Sequence, residues 1–255
     1  MHKVLFNIGG FPIYSYGVML IIAFFVGVAI ARARAPFYGI KPEQIWDVSF
    51  WVLIFGVLGA RLLFILQELP FYLKNLDQMF SLRFDGLTSY GGLLGGLTAF
   101  LIWSRIAKVP PLSLLDCVAP SVFIGHAIGR VGCLLNGCCY GGQCDLPWGI
   151  HVHDDHGGLL PGLYHPAQIY DSFFNLIGFG VAMLIARRGL KPGQMMSLFL
   201  ILHGLARVVY EFWRINTTSA SFMGMPFTEA QLVSALMSAF GVGLFFHFGR
   251  KKSTA

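Results

Sequence analysis

The chain is 255 residues long, 56% hydrophobic and only 12% charged, with a mean hydropathy of +0.67. A soluble domain carries about 25% charged residues, so the composition excludes a water-soluble globular protein and points to an integral membrane one. The net charge of +6 implies no nucleic-acid partner, because no basic patch interleaved with aromatics lies outside the apolar runs and contact with anionic lipid accounts for the excess.

A helical crossing needs about 20 mostly apolar residues. Apolar runs of about that length cover residues 14–33, 46–66, 87–104, 112–135, 167–186, 195–213 and 227–248. They are too long for barrel strands and lack strict alternation. The expected fold is therefore all-α, a polytopic membrane protein with about seven transmembrane helices in one domain spanning 1–255. The first run is read as a retained span, since Arg32 and Arg34 follow its apolar core, whereas a signal peptide carries its charge in front. Basic residues gather at alternate rims: Arg32, Arg34 and Lys41; Arg105 and Lys108; Arg187, Arg188 and Lys191; Arg250, Lys251 and Lys252. The positive-inside rule makes those rims cytoplasmic. The N-terminus, the segment 67–86, the segment around 136–166 and the segment 214–226 are then expected outside, with the C-terminus in the cytoplasm.

Taken in chain order, the runs carry an unusual set of polar residues. Arg61 lies in the second, Arg130 in the fourth and Arg207 in the sixth. An arginine at a helix centre costs roughly 3 kcal/mol on insertion scales, so it normally faces a polar cavity with a negative partner. An anionic ligand is implied. The outer segment 67–86, with Pro70, Phe71, Tyr72 and Phe80, reads as an amphipathic arm. The third run opens with Asp85-Gly86 and Thr88-Ser89-Tyr90-Gly91-Gly92. The fourth carries Gly125, His126, Gly129, Arg130, Gly132 and Cys133 into the turn Asn136-Gly137-Cys138-Cys139-Tyr140-Gly141. Such a glycine-rich helix end can present backbone N–H groups and the Asn136 amide to a phosphate.

Cys133, Cys138, Cys139 and Cys144 cluster near the outer face, followed by His151, His153 and His156. The spacing Cys-x4-Cys-Cys-x4-Cys is not a familiar zinc pattern and the histidines sit in an Asp/Gly-rich loop, so no metal or other cofactor is expected. A disulfide from Cys144 to Cys138 or Cys139 is the simpler expectation in an oxidising compartment. Cys117 reads as a small buried apolar residue. In the sixth run His203, Arg207, Tyr210, Glu211 and Arg214 recur at three- and four-residue intervals, which an α-helix stacks on one side. That stripe is either an internal Arg207–Glu211 ion pair or a functional surface.

Several ordered motifs resemble those of the prolipoprotein diacylglyceryl transferases of bacterial inner membranes. They are Tyr14-Ser15-Tyr16-Gly17, Gly59-Ala60-Arg61, Asp116 with Ala119-Pro120, Gly129-Arg130-Val131-Gly132 through Asn136-Gly137 to Gly141, His165-Pro166-Ala167-Gln168-Ile169-Tyr170, and Arg207 through Glu211 to Arg214. The resemblance covers nearly the whole chain. Three departures stand out. Tyr90 replaces the family's usual histidine before the paired glycines of the third span. His203 replaces a tyrosine four residues before the sixth-span arginine. Cys133 and Cys138 stand where common members have an asparagine and a glutamate.

The resemblance implies transfer of the diacylglyceryl group of phosphatidylglycerol to the lipobox cysteine of an exported preprotein, with glycerol phosphate released. The expected partners are phosphatidylglycerol, the signal peptide and lipobox cysteine, and the bilayer itself, at a site facing the outer leaflet of the inner membrane. Arg130 and Arg207 are expected to stabilise charge growing on the phosphate. His203 is expected to take the thiol proton, assisted by Tyr90 or Glu211. Tyr16, Arg61, Asn136, Gly141, His165, Gln168, Tyr170 and Arg214 are expected to line the head-group and peptide cavity. Three alternatives are a divergent member with another thiol or lipid acceptor, a transporter of an anionic solute, and a metal or thiol-redox membrane protein built on the cysteines.

Overall fold

The structure, a computed structural model, describes residues 3–75, 88–153, 158–214, 219–222 and 225–250. Each predicted apolar run forms a helix: α1 (Ser15–Arg34), α2 (Pro42–Gln67), α3 (Ser89–Ile106), α4 (Pro111–Asn136), α5 (Ala167–Ala186), α6 (Gln194–Tyr210) and α7 (Glu229–Arg250). Six of them, all but α3, are long and apolar enough to cross a membrane, α6 together with the 3-10 turn Glu211–Trp213 that extends it to 20 residues. The exception has 18 residues, a rise of about 27 Å against a hydrocarbon core of about 30 Å, and four glycines plus Arg105 dilute its apolar content. Prolines open α2 and α4, where the missing N–H has no intrahelical acceptor to lose. Among the described residues the strands form only short antiparallel pairs: β1 (Val4–Ile8) with β2 (Phe11–Tyr14), β3 (Gln143–Cys144) with β4 (Leu163–Tyr164), and β5 (Ser219–Phe222) with β6 (Met225–Thr228). Gly9 and Gly10, both at positive φ, close the first pair, as a two-residue hairpin turn requires.

The chain packs as two units, Arg32–Leu114 and the remainder, Met1–Ala31 with Leu115–Ala255. In the first unit α2 and α3 meet along a glycine seam. A Cβ added at Gly59 would lie 2.9 Å from the Gly95 Cα, and one at Gly95 would strike the Phe55 carbonyl. Small residues permit this backbone-to-backbone approach, which is how helices gain packing energy where lipid removes the hydrophobic drive. Arg61 of α2 sets its guanidinium carbon 5.4 Å from the Tyr72 ring centroid, and Tyr72 is buried in a one-turn helix, Leu69–Tyr72. The predicted arm 67–86 is described only to residue 75; Phe80 and Asp85-Gly86 lie outside the described residues, as do His156 and Lys251-Lys252.

In the second unit the core is Ala119, Phe123, Ala182, Met195 and Leu198, from α4, α5 and α6. Gly178 makes room for Phe123, whose ring would sit 2.6 Å from a Cβ there. The buried Asp116 carboxylate accepts the backbone N–H of Gly193 at 2.5 Å and of Met196 at 2.7 Å. Helix α6 begins after Gly193, which has no side chain to cap it, so Asp116 supplies from α4 the acceptor that the first turn lacks. Helix α7 lies on α6 through Gly204, Gly241 and the Ser238 hydroxyl, which donates to the Ile201 carbonyl at 3.1 Å.

Candidate active site

Helix α5 buries Gln168, Asp171, Asn175, Gly178 and Ala182. Their three- and four-residue spacing makes one inward stripe, and its polar half organises the site. Asp171, 1% exposed, pairs with Arg130 Nε at 2.6 Å and lies 3.2 Å from His126 Nε2. Its other oxygen accepts Asn175 Nδ2 at 2.8 Å, and Asn175 Oδ1 lies 3.3 Å from His203 Nδ1. A chain of polar contacts, an ion pair followed by two hydrogen bonds, therefore runs Arg130–Asp171–Asn175–His203 across α4, α5 and α6. His126 Nε2 also sits 3.2 Å from Arg130 Nε. For a neutral ring these are alternatives, donation to Asp171 or acceptance from Arg130. The His203 ring stacks on Phe199 at 5.3 Å and meets His126 edge-on at 5.2 Å.

Both predicted arginines of this unit address one residue. Arg130 and Arg207 place their guanidinium carbons 5.3 Å and 4.8 Å from the ring centroid of Tyr210, which is fully buried. Arg207 Nη2 is 3.0 Å from Glu211 Oε2, one turn on. This is a contact of charge rather than a directed hydrogen bond. Both Glu211 oxygens, Arg207 Nη1 and Tyr210 Oη are buried and lack a hydrogen-bond partner among the described residues. The ion pair predicted as the bland account of the stripe thus forms, and it leaves half of the guanidinium fork unused.

The turn after α4 is fixed by its surroundings. Buried Gln168 donates Nε2 to the Cys138 carbonyl at 2.7 Å. Gly141 N–H donates to the His165 carbonyl and Gly142 N–H to the Trp213 carbonyl, both at 2.9 Å, and Gly141 forms a bridge with Arg214. A Cβ on Gly141 would collide with the Trp213 carbonyl, so this glycine is a packing residue. The amides of Gly137, Cys138, Gly141 and Gly142 are all spent on protein carbonyls. That corrects the expectation of a phosphate cradle for the amides of Gly137, Cys138, Gly141 and Gly142. Tyr16 rests against Gly132, whose added Cβ would meet its ring at 3.2 Å. The Tyr170 hydroxyl accepts from Trp148 Nε1 at 2.8 Å and lies 3.3 Å from His165 Nδ1.

Other expectations are revised. Glu211 faces Arg207 and not His203. Tyr90, in the first turn of α3, is 75% exposed and belongs to the Arg32–Leu114 unit, as does Arg61 of α2. None of the five cysteines is disulfide-bonded. Cys144 sits in β3 paired with Leu163, while the sulfurs of Cys133, Cys138 and Cys139 lie within 4.8 Å of one another. Hydrogen bonds from Cys133 and then Cys139 hold the Cys138 thiol below its ordinary pKa, against the opposing effect of burial. Cys117 is buried and donates to the Ala31 carbonyl at 3.3 Å.

Sequence reasoning missed Asp171 and Asn175 and left His126 without a role. An aspartate one turn before an asparagine within an apolar span was the available signal, the counterpart of the intramembrane arginines.

Residues 3–247 match a family model described as prolipoprotein diacylglyceryl transferase. A protein of Acaryochloris marina named phosphatidylglycerol–prolipoprotein diacylglyceryl transferase is 32% identical over 245 residues, covering 94% of this chain and 87% of its own. A protein of that name from Thermosynechococcus vestitus is also 32% identical, covering 94% and 90%. One from Francisella tularensis subsp. novicida is 34% identical, covering 84% and 80%. With the match covering residues 3–247, Arg61, Arg130, Arg207 and Arg214 among them, the chain belongs to the prolipoprotein diacylglyceryl transferase family.

Proposed function

We propose that this protein transfers the diacylglyceryl group of phosphatidylglycerol to the thiol of a lipobox cysteine in an exported preprotein, from the outer leaflet of a bacterial inner membrane. The observation that carries the proposal is the placement of Arg130 and Arg207, from separate helices, on one buried Tyr210 ring. Each buried polar atom without a partner costs about 1–3 kcal/mol. A site that keeps Arg207 Nη1 and Tyr210 Oη in that condition gains when an oxyanion arrives.

In the reaction the acceptor sulfur attacks the glyceryl carbon bonded to the phosphate ester oxygen. The S–C bond forms, the C–O bond breaks, and glycerol phosphate departs with the electron pair. Negative charge grows on the phosphate oxygens, and two fixed guanidinium groups stabilise it without reorganising. Asp171 and Glu211 orient those groups. Asn175 directs Nδ2 at Asp171, so its Oδ1 is what meets His203. A neutral His203 then carries its proton on Nδ1 and offers Nε2 as the acceptor for the thiol proton. Tyr16, Asn136, Gln168 and Arg214 supply polar contacts to the head group and peptide.

Incubation of the purified protein with phosphatidylglycerol and a lipobox peptide tests this by mass spectrometry. The peptide should gain one diacylglyceryl group, and a peptide with serine in place of the cysteine should gain none. An unchanged cysteine peptide under conditions where the protein stays folded would overturn the reading.

A further inference from the structure

The mechanism above leaves three thiols without a task. Cys133 near the end of α4 and Cys138 and Cys139 in the turn beyond it hold their sulfurs within 4.8 Å of one another. Zinc bound to thiolates at about 2.3 Å in tetrahedral geometry sets neighbouring sulfurs about 3.8 Å apart. Shifts of about 1 Å, the scale of a side-chain rotation, would close the cluster on a metal.

The backbone is shaped for this convergence. Consecutive side chains in an extended chain point to opposite faces. Here Gly137 has φ 77° and Cys139 φ 64°, and two left-handed residues flanking Cys138 turn both adjacent thiols toward Cys133. For a residue with a Cβ this conformation costs on the order of 1–2 kcal/mol and survives only where its surroundings impose it. Gln168 does so through the Cys138 carbonyl, as does the Cys138 amide bonded back to the Cys133 carbonyl at 3.1 Å. The spacing looked foreign to zinc because the usual two-residue gap between thiols is absent. The left-handed turn performs the same closure with adjacent cysteines.

We propose that Cys133, Cys138 and Cys139 bind one zinc ion whose fourth position takes the thiol of the acceptor cysteine and presents it to the lipid as a thiolate. Three protein ligands with one open position is the pattern of reactive rather than structural zinc, and a coordinated thiol is deprotonated outright. The substrate's part in this rests on the transferase reading, in which a thiol with an unperturbed pKa of about 8.5 must ionise. On binding, the acceptor thiol displaces a zinc-bound water. The Zn–S bond forms, the Zn–O bond breaks, and the released water carries the thiol proton to His203. The S–C bond then forms as the Zn–S and C–O bonds break, and glycerol phosphate leaves. Arg130 lies within electrostatic reach of Cys133 and Cys139, where it offsets the negative charge of a thiolate-rich centre.

The experiment uses the full chain purified in detergent. Elemental analysis should find about one zinc per chain, lost in Cys133→Ser, Cys138→Ser and Cys139→Ser and retained in Cys144→Ser, whose cysteine lies in β3. Cobalt loading of the unmutated chain avoids dependence on variants that fail to fold. The sulfur-to-cobalt charge-transfer band should rise by about a third when a cysteine lipobox peptide adds a fourth thiolate to three, and a serine peptide should leave it unchanged. Absence of bound zinc, or freely titrating thiols at all three positions in folded protein, would overturn the site. A cobalt spectrum indifferent to the cysteine peptide would overturn the substrate's role. A spectrum that responds while no diacylglyceryl group is ever transferred would refute the transferase reading alone.

Discussion

Replacing Arg207 with lysine separates charge from geometry at the point where the proposed reaction needs both. In the native site Nη2 faces Glu211 at 3.0 Å while Nη1 is buried without a hydrogen-bond partner among the described residues. A lysine keeps one cation for Glu211, so the buried carboxylate is not orphaned and stability should change by no more than about 1 kcal/mol, the worth of the lost contact with the Tyr210 ring. What disappears is the second nitrogen of the fork. Losing one preorganised donor to a developing oxyanion costs about 2.7–4 kcal/mol, a fall of roughly 10²–10³ in kcat. Mass-spectrometric turnover of a lipobox peptide in phosphatidylglycerol micelles, with a thermal melt as the folding control, measures both quantities. Wild-type turnover in Arg207→Lys would refute the reasoning. So would a raised KM for lipid at unchanged kcat, because that pattern belongs to a contact made equally with bound substrate and transition state.

His203→Gln should lower turnover by about 10²–10³, within the range of general base catalysis, while phosphatidylglycerol binding measured by lipid co-purification stays intact; full activity would remove His203 from the chemistry. Asp116→Ala should cost about 1–2 kcal/mol by thermal melt, the loss of a helix cap, because the Gly193 and Met196 amides lose their acceptor. Gly95→Leu should destabilise the chain by about 1–3 kcal/mol, the range for overpacking, because its Cβ meets the Phe55 carbonyl rather than a movable side chain; an unchanged melting temperature would mean the α2–α3 seam can open without cost.

The helices were legible because hydropathy is a local property, recorded in windows of about 20 residues. The Arg207–Glu211 contact was legible for the same reason, both partners lying on one helix a turn apart. Asp171 escaped notice because its partners Arg130 and His126 lie on another helix, 45 residues back in the case of His126. The resemblance marked Asp116 as a motif residue without a reason; its role is to hold amides 77 and 80 residues away. The cysteines were misjudged by counting gaps along the chain. A left-handed residue at 139 cannot be read from composition, since cysteine has no preference for it, and that single dihedral gathers Cys138 and Cys139 with Cys133 rather than with Cys144.

The Asp116 cap also acts as a common zero from which two distances are laid off. Arg130 stands 14 residues beyond Asp116 on α4, about 21 Å along the axis, and Arg207 stands 14 residues beyond Gly193, whose amide that carboxylate accepts, about the same distance. Pinned together at their starts, two helices of equal rise bring their guanidinium groups level to within one residue's advance. An insertion or deletion between 116 and 130, or between 194 and 207, would throw the pair out of step by about 1.5 Å for each residue. The allowed lengths of these segments are thereby set by a carboxylate at the opposite end of the helices.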